Sequence, residues 1–572
     1  MLSVYVPVPN LSLDKKAVKV KQAIRIWFHL FAFLGMWINS PLLAIRSAQA
    51  CRYGSKARVG WSSLNSRKNH LSTTPLSHIF LPRGGATISS VNRTFSTLAV
   101  DRTQRMKHRV FLAVGSNLGN RFQNIASAIS LLCDPSFDDE SSPTRLVKTS
   151  FLHETAPMYI TDQPAFLNGA LEIETDLDPH VLLRRLKKVE LEMGRNFSTV
   201  RNGPRPVDLD ILFYDGLGED GLVEFPMTID TPDLEIPHPR IAEREFVLAP
   251  LCEVAGRSHS HPILNTTVGD LFSKLMDKTG DSEAVRVLPL PRDRTIVFNE
   301  TVIMGILNVT PDSFSDGGKW NDSVDRAVKR AMEMESEGAR IIDIGGESTR
   351  PGAKETPIEE QIQRTVPVIE RIRQVSDVPI SIDTRHAAVA RAAIKAGADI
   401  VNDISGGDFD PQMLSTVAEL GVPVILMHMR GTPESMQKMT EYDDVVQEVV
   451  DSLLERSRNA ENAGIPRWMQ VLDPGIGFAK TLNGNLLLLK SLSTIRSALG
   501  DMPILLGTSR KGFIGKITGE SIAEERDYGS AASCVAALCL GSSHGGCNII
   551  RVHNVKGMKQ ASMLMDAIRK AR

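Results

Sequence analysis

The chain has 572 residues, 42% of them hydrophobic and 23% charged, with a formal net charge of −1. That composition is ordinary for a globular enzyme of about three domains, and it offers no field that would hold nucleic acid or an anionic membrane. The average conceals an asymmetry: Met1–His108 carries 16 Lys and Arg against only Asp14 and Asp101, a net of +14, leaving −15 for the remainder.

In chain order, this basic, Ser-rich segment comes first. It has no sustained strand or helix alternation and reads as a removable organelle-targeting segment, with the mitochondrial matrix as the preferred address and a plastid or the cytosol as the alternative. Its apolar run Ile26–Ile38 spans 13 residues, too short to cross a bilayer. The first folded domain is expected over Arg109–Leu290. Strand Val110–Gly115, helix Asn120–Cys133, strands Arg145–Thr155 and Phe166–Glu174, helix Pro179–Met193 and strand Val207–Tyr214 follow one another as β-α-β-β-α-β. That order predicts a ferredoxin-like α+β sandwich. A connector is read at Pro291–Asn299, from Pro291 and its mixed charges.

From Glu300 to the C-terminus eight short apolar strands recur: Val302–Val309, Arg340–Gly345, Pro379–Asp383, Asp399–Ile404, Pro423–Met427, Met469–Asp473, Ile504–Gly507 and Asn548–Val552. Helical periodicity follows them, at Ile358–Val375, His386–Ala396, Glu441–Ala463, Asn483–Leu499, Ala523–Leu540 and Val555–Lys570. Ser323 is expected to cap a further helix that Gly338 ends. Eight strand–helix units predict a (β/α)8 TIM barrel, whose C-terminal strand ends face one site. Polar residues gather at those ends: Asn308, Thr349 and Arg350, Asp383, Asn402, His428, Asp473, Ser509 to Lys511, and Arg551 with His553. Asp343 and Asp403 read equally well as strand-end caps, and His428 as a structural histidine. The six cysteines form no CxxC pair, and Cys534 and Cys539, in an apolar helix, are expected to be buried thiols.

Two constellations carry chemistry. Asp208-Leu209-Asp210 puts two carboxylates on one face of a strand, roughly 7 Å apart. A bare pair of this kind is commonly an exposed acidic face, but here a loop with Arg195, Arg201 and Arg205 precedes it, and His238 and Arg244 follow. Carboxylates for a divalent ion beside arginine forks for phosphate suit phosphoryl transfer, with Mg2+ favoured by oxygen-only ligands. Gly115-Ser116-Asn117-Leu118-Gly119 has glycines but no Walker lysine. In the barrel, Gly-rich loops after the first two strands and the cations Arg350, Lys511, Arg551 and His553 suit an anion, while Asp383 and Asp473 suit an amino-heterocycle.

Val114-Gly115-Ser116-Asn117-Leu118-Gly119, Asp162-Gln163-Pro164-Ala165-Phe166-Leu167-Asn168, Gly203-Pro204-Arg205-Pro206-Val207-Asp208-Leu209-Asp210 and Pro237-His238-Pro239-Arg240 resemble the 6-hydroxymethyl-7,8-dihydropterin pyrophosphokinases. The resemblance covers Arg109–Leu290 and implies transfer of the terminal pyrophosphate of ATP, a co-substrate, to a pterin hydroxymethyl group. It implies Mg2+ on Asp208 and Asp210, and Phe166 and Phe246 on the two faces of the pterin. Asn168 and the backbone around Thr155 and Pro157 would read its edge. Glu190, Arg195, Arg205, His238 and Arg244 would face ATP or the loops over it, with Arg195 and Arg205 catalytic. Phe197 and Asn202 depart from the family pattern, where arginine and tryptophan are common.

Asn308-Val309-Thr310-Pro311-Asp312-Ser313-Phe314, Gly346-Glu347-Ser348-Thr349-Arg350-Pro351-Gly352, Asp473-Pro474-Gly475-Ile476-Gly477-Phe478 and Arg551-Val552-His553 look like the dihydropteroate synthases. That resemblance spans Thr301–Ala571 and implies condensation of the pterin pyrophosphate with 4-aminobenzoate. Asp383, Asn402, Asp473 and Lys511 would contact the pterin between Met427 and Phe478, with Asp383 and Lys511 catalytic. Asn308, Arg350, Arg551 and His553 would hold pyrophosphate, Asn308 with Mg2+. Phe314, Thr349, Pro351 and Lys511 would surround the aminobenzoate. The resemblance also implies a homo-oligomer through the barrel.

The product of the first domain is the substrate of the second, so the chain reads as a bifunctional enzyme of folate synthesis with small molecules as partners. Two other readings stand beside it. One makes the first domain a non-catalytic module; the other makes the barrel a methyl-transfer pterin enzyme, which needs a corrinoid partner and no anion site.

Overall fold

The computed structural model describes residues 107–137, 142–198, 200, 202–218, 220, 223–280, 282–310, 320–539 and 546–571. Most of the expected targeting segment and Phe314 lie outside them.

The first domain is built on a mostly antiparallel sheet. Strands β1 (His108–Ser116), β2 (Thr144–Thr149), β3 (Leu152–Thr155), β4 (Phe166–Thr175) and β5 (Asp208–Leu217) alternate with helices α1 (Arg121–Cys133) and α2 (Pro179–Glu192). Asn120 caps α1 by accepting from the Gln123 N–H, and Asp178 caps α2 by accepting from the His180 N–H. The strand expected over Arg145–Thr155 is split in two. At the break the Ser150 hydroxyl takes the Ala170 N–H at 2.9 Å, so the ladder on β4 continues through a side chain. Around β4 and β1 the order is the ferredoxin-like one, extended at its edges by β6 (Val223–Pro226) and by the hairpin β7 (Val285–Leu290) and β8 (Arg294–Val297). Helix α3 (Glu245–Val254) covers the second face through Leu248 and Leu251, which pack with Phe111 and Phe213.

Central strand β1 is flanked by the two strands that bear the chemistry. Gly115 lies opposite Asn168 on β4 and opposite Asp208 on β5. A Cβ on Gly115 would stand 2.6 Å from the Asn168 side-chain oxygen, so only glycine allows this approach.

The second domain is a barrel of eight parallel strands: β9 (Val302–Asn308), β10 (Ile341–Gly345), β11 (Ile380–Asp383), β12 (Ile400–Asp403), β13 (Val424–Met427), β14 (Gln470–Asp473), β15 (Leu505–Leu506) and β16 (Ile549–Val552). They pair in sequence, β9 pairs β16, and a parallel bridge between Leu472 and Ile504 closes the ring. Continuous apolar runs fit strands covered on both faces. The helix after β9 runs Trp320–Ser336, so Ser323 lies inside it rather than at its cap. The Asn483–Leu499 helix is broken at Ser491, and a short helix, Met413–Leu420, follows β12. Among the described residues no helix is long and apolar enough to cross a membrane, and Cys539 is exposed while Cys534 is buried.

The stretch read as a connector is ordered. Strand β8 occupies Arg294–Val297 and pairs with β7; β7 in turn pairs with β3 of the first domain through Val285–Val287. Leu288, Leu290 and Ile296 enter one buried cluster with Val302, Ile341, Ile400, Ile425, Val471, Leu505 and Ile549, at the starts of the barrel strands. The hairpin thus closes the N-terminal end of the barrel. Ionic contacts fix it: Arg292 and Arg294 reach the fully buried Asp399, which Arg373 also holds. Beside it, Phe151 is faced by Arg286 at 4.1 Å and by Arg467 of the barrel side at 4.9 Å.

Candidate active sites

In the first domain β1, β3, β4, β5 and the loops beyond them surround a cavity of about 520 Å³. Asp208 and Asp210 both line it, while Leu209 between them is buried in the core behind. Period-two alternation is thereby realised. Arg195 and Arg205 grip Asp208 from two sides, Arg205 at 2.8 Å. Burial opposes charge on Asp208, but Arg205 and Arg195 overcome it and hold the carboxyl below its ordinary value. Asp210 faces His238, whose Nε2 is 3.9 Å away. The His238 Nδ1 accepts the Arg240 N–H at 3.1 Å, which leaves Nε2 pointing at Asp210. Burial lowers the His238 pKa, against the pull of Asp210.

Opposite the carboxylates lie Thr155, Phe166, Asn168 and Phe246, all on the cavity wall. Asn168 donates to the Thr155 hydroxyl at 2.8 Å, which fixes its amide on the cavity wall. Arg244, on the same wall, stands over Phe246. Two expected residues do not line the cavity. Pro157 is bypassed by its neighbours Ala156 and Met158, which do. Glu190 is completely buried on α2, where its carboxylate takes the Leu209 N–H at 2.8 Å and Arg195 at 2.7 Å. It therefore supports Arg195, a residue of the loop beside the cavity, from below. Burial raises its pKa, opposed by Lys187 and Arg195.

Sequence reasoning assigned no role to Asn117 or Gln163, although both lie in quoted motifs. Asn117 accepts the Arg205 N–H at 2.9 Å and donates to Gln163 at 3.0 Å and to the Pro164 carbonyl at 3.1 Å. Gln163 donates to the Asn202 carbonyl at 3.1 Å. The arginine loop and the Phe166 loop are stapled together there. Phe197, which departs from the family pattern, is 54% exposed, with Arg195 over its ring; Asn202 holds the left-handed conformation at φ 65°, one that asparagine tolerates and tryptophan disfavours.

The barrel gathers its polar residues at the C-terminal strand ends. Asp383 lies opposite Gly345 and Asn402 in neighbouring strands, Asn308 opposite Gly345, and Met427 opposite Asp473. Arg551 donates to Asp343 at 2.6 Å and to Asp383 at 2.6 Å. Asn402 donates to both oxygens of Asp343, at 3.4 and 3.3 Å. Asp343, read as a possible cap, is instead a fully buried carboxylate under the site. Asp403 is the cap, accepting from the N–H groups of Ser405 and Gly407.

Burial pushes Asp383 up to about 7 against the pull of Arg551, and Asp473 up to about 6 against a bond from the Gly475 N–H and the charge of Lys511. It pulls Lys511 down to about 7, against Asp473. The Lys511 ammonium stands 3.8 Å from the centre of the Phe478 ring. Met427 and Phe478 belong to one apolar cluster. His553 shares a hydrogen bond with the Ser509 hydroxyl at 3.0 Å, and burial holds its pKa down at about 3. Thr349, Arg350 and Pro351 stand on a loop tied to the one after β13 by the Gly352 N–H to the Pro433 carbonyl at 3.0 Å; Arg350 and Pro351 are exposed.

Both domains match known families. Residues 111–256 match the family of 7,8-dihydro-6-hydroxymethylpterin-pyrophosphokinases, and residues 304–553 match the pterin binding enzymes. The folate synthesis bifunctional protein, mitochondrial, of Arabidopsis thaliana is 42% identical over 507 residues, covering 84% of this chain and 87% of that one. The protein of the same name from Pisum sativum is 41% identical, covering 82% of this chain and 90% of its own length. The dihydropteroate synthase of Bacillus subtilis is 49% identical over 47% of this chain and 89% of that one. Two transferase sites for pterins on one polypeptide define a bifunctional biosynthetic enzyme. The chain belongs to the family of bifunctional folate synthesis proteins, in which a hydroxymethyl-dihydropterin pyrophosphokinase and a dihydropteroate synthase are joined. The non-catalytic reading of the first domain and the methyl-transfer reading of the barrel give way to it.

Proposed function

We propose that Asp208 and Asp210 hold Mg2+ with ATP, and that the cavity beside them binds the pterin between Phe166 and Phe246. The fit of the metal rests on its donors. Among the described residues no group of three or more His, Cys, Asp or Glu could cage an ion, whereas Mg2+ is commonly held by one or two carboxylates completed by phosphates and water. Mg2+ supplies charge neutralisation on the phosphate oxygens. Arg195 and Arg205, now on Asp208, are within reach of the same oxygens and stabilise charge as the pterin hydroxyl attacks and AMP leaves. Glu190 positions Arg195; Asn168 and Thr155 orient the pterin edge so that the hydroxymethyl oxygen points at the phosphate.

In the barrel, Asp383, Asn402, Asp473 and Lys511 bind the pterin against Met427 and Phe478. Arg350, Arg551 and His553 hold its pyrophosphate, with the Asn308 amide oxygen as a Mg2+ ligand. Buried Asp383 and Asp473 hold the ring while its own electrons stabilise the methylene cation left by departing pyrophosphate. Attack by the amine of 4-aminobenzoate, between Thr349, Pro351 and Lys511, then gives dihydropteroate. The observation that carries this reading is the convergence of Asp383, Asn402, Asp473, Lys511 and Arg551, from five strand–loop units, on one barrel mouth.

The basic segment Met1–His108 and the mitochondrial names of the plant relatives support a mitochondrial address. Exposed Met563, Leu564 and Ile568 on the last helix support a homo-oligomer through the barrel.

The direct test supplies the full chain with hydroxymethyl-dihydropterin, ATP, Mg2+ and labelled 4-aminobenzoate. Labelled dihydropteroate is expected, with one AMP formed per product. Product only from supplied pterin pyrophosphate would refute the kinase assignment. The synthase should also lose kcat/KM for the pterin pyrophosphate as pH falls through about 6. Asp473 must be a carboxylate to accept the pterin's N–H groups, and protonation removes that acceptor. A pH profile checks this: Asp473→Asn should lose the part of the fall near 6 and keep the part that Asp383 gives near 7, and a flat wild-type profile would contradict the role.

A further inference from the structure

Beneath the pterin pocket of the barrel lies a lysine that the proposed reaction does not use. Lys480 is buried, as is His428, the residue that follows Met427 at the end of β13. The Lys480 Nζ meets the His428 Nδ1, the Gly475 carbonyl and the Phe478 carbonyl, each at 3.0 Å. A lysine nitrogen has three hydrogen-bonding positions besides its own carbon, and all three are filled. Such saturation is what a buried amine requires, because an unmet polar group costs more than a typical hydrogen bond contributes.

The partners are not scattered. All lie on the two segments that carry the apolar and acidic contacts of the pocket. The loop Asp473–Lys480 leaves β14 with the Asp473 carboxylate accepting the Gly475 N–H at 2.7 Å. The His428 N–H donates to the Asp473 carbonyl at 2.9 Å, so the ends of β13 and β14 are joined. Gly475 passes so close that a Cβ there would stand 2.0 Å from the His428 carbonyl oxygen. Phe478, whose carbonyl Lys480 holds, carries the Lys511 ammonium on its ring. A single nitrogen therefore fixes the Gly475 turn beside Asp473, the Phe478 wall and, through that ring, Lys511.

We infer that Lys480, with His428, is a positioning residue for the pterin end of the synthase site, setting Asp473 and Phe478 at the spacing one flat heterocycle requires. It touches neither substrate. The pyrophosphate end, at Arg350 and His553, stands on other strand–loop units, and the Gly352 N–H to Pro433 carbonyl bond that ties the Arg350 loop to the loop after β13 lies five residues beyond His428.

This inference rests on the pterin pocket proposed above, and the experiment separates the two. Binding of dihydropterin pyrophosphate and of inorganic pyrophosphate to the full chain is measured by calorimetry. Lys480→Met should weaken the pterin ligand about 30-fold and inorganic pyrophosphate by less than about threefold. His428→Leu, which removes one of the three partners, should weaken the pterin ligand about tenfold, and His428→Asn, which keeps a polar atom near the Nδ1 position, should recover it to within about threefold. Equal loss of both ligands in Lys480→Met and in His428→Leu would show general damage to the barrel and overturn the inference. So would unchanged pterin affinity in either variant, or His428→Asn behaving as His428→Leu. Asp473→Asn tests the pocket itself: unchanged pterin affinity there would refute the pocket rather than the role of Lys480.

Discussion

Asp208→Ala should lower AMP formation by about three orders of magnitude, while dihydropteroate formation from supplied pterin pyrophosphate stays near the wild-type rate. The carboxylate is the meeting point of the kinase site: Arg195 and Arg205 hold it, and Asp210 lies two residues away on the same face. Its removal takes away one of the two proposed metal donors and releases both guanidiniums from their anchor. Arg195 keeps Glu190, whereas the Arg205 guanidinium keeps the Gly203 carbonyl and its place over the Phe166 ring. Asp208→Asn separates these effects, since it keeps the shape and removes the charge. Stopped-time assays of AMP release, with a parallel assay of the barrel, give both numbers. Kinase activity within about tenfold of wild type would rule out Asp208 as a metal donor.

For the barrel the largest effect is expected from Arg551→Ala. Its guanidinium bridges Asp343 and Asp383 at 2.6 Å each, and Asp343 has no exposure at all. Deleting the cation strands two carboxylates in the interior, a loss of about 3–5 kcal/mol for a broken buried pair. Asp383, already pushed up to about 7 by burial with Arg551 opposing, would rise further and become neutral under assay conditions. Synthase activity should therefore fall by about a hundredfold or more, the barrel's denaturant midpoint should drop, and the kinase rate should persist. Arg551→Lys restores a charge but not a fork that spans both acids, so it should recover stability better than activity. An unchanged midpoint in Arg551→Ala would contradict the bridging role.

The barrel was legible because each strand is a short apolar run with a polar residue at its end, and those ends recur in chain order. The pairing of residues across the mouth was not legible. Asp343 sits in the apolar run Ile341–Gly345, and its partner Arg551 is 208 residues away; alone, such an aspartate looks like a cap. His428 and Lys480 are likewise separated by 52 residues. Glu190 comes from the resemblance alone, because amphipathic spacing on α2 does not reveal which polar residue turns inward to hold an arginine. Pro291 and the charges of Arg292, Asp293 and Arg294 suggested a linker. In the fold, Arg292 and Asp293 form a left-handed turn at φ 66° and 53°, and the two arginines reach a buried acid on the neighbouring domain. The motifs around Asp208 and Asp473 survived translation into structure because each is local: the strand period or the turn itself brings the groups together.

Hairpin β7–β8 also decides how an intermediate can travel. It belongs to the sheet of the kinase and at the same time stoppers the barrel at the end opposite the synthase mouth, with Leu288, Leu290 and Ile296 packed across the axis. The bore is thus no conduit between the two sites. Joining the two enzymes in one chain guarantees equal numbers of each and a shared address in the cell.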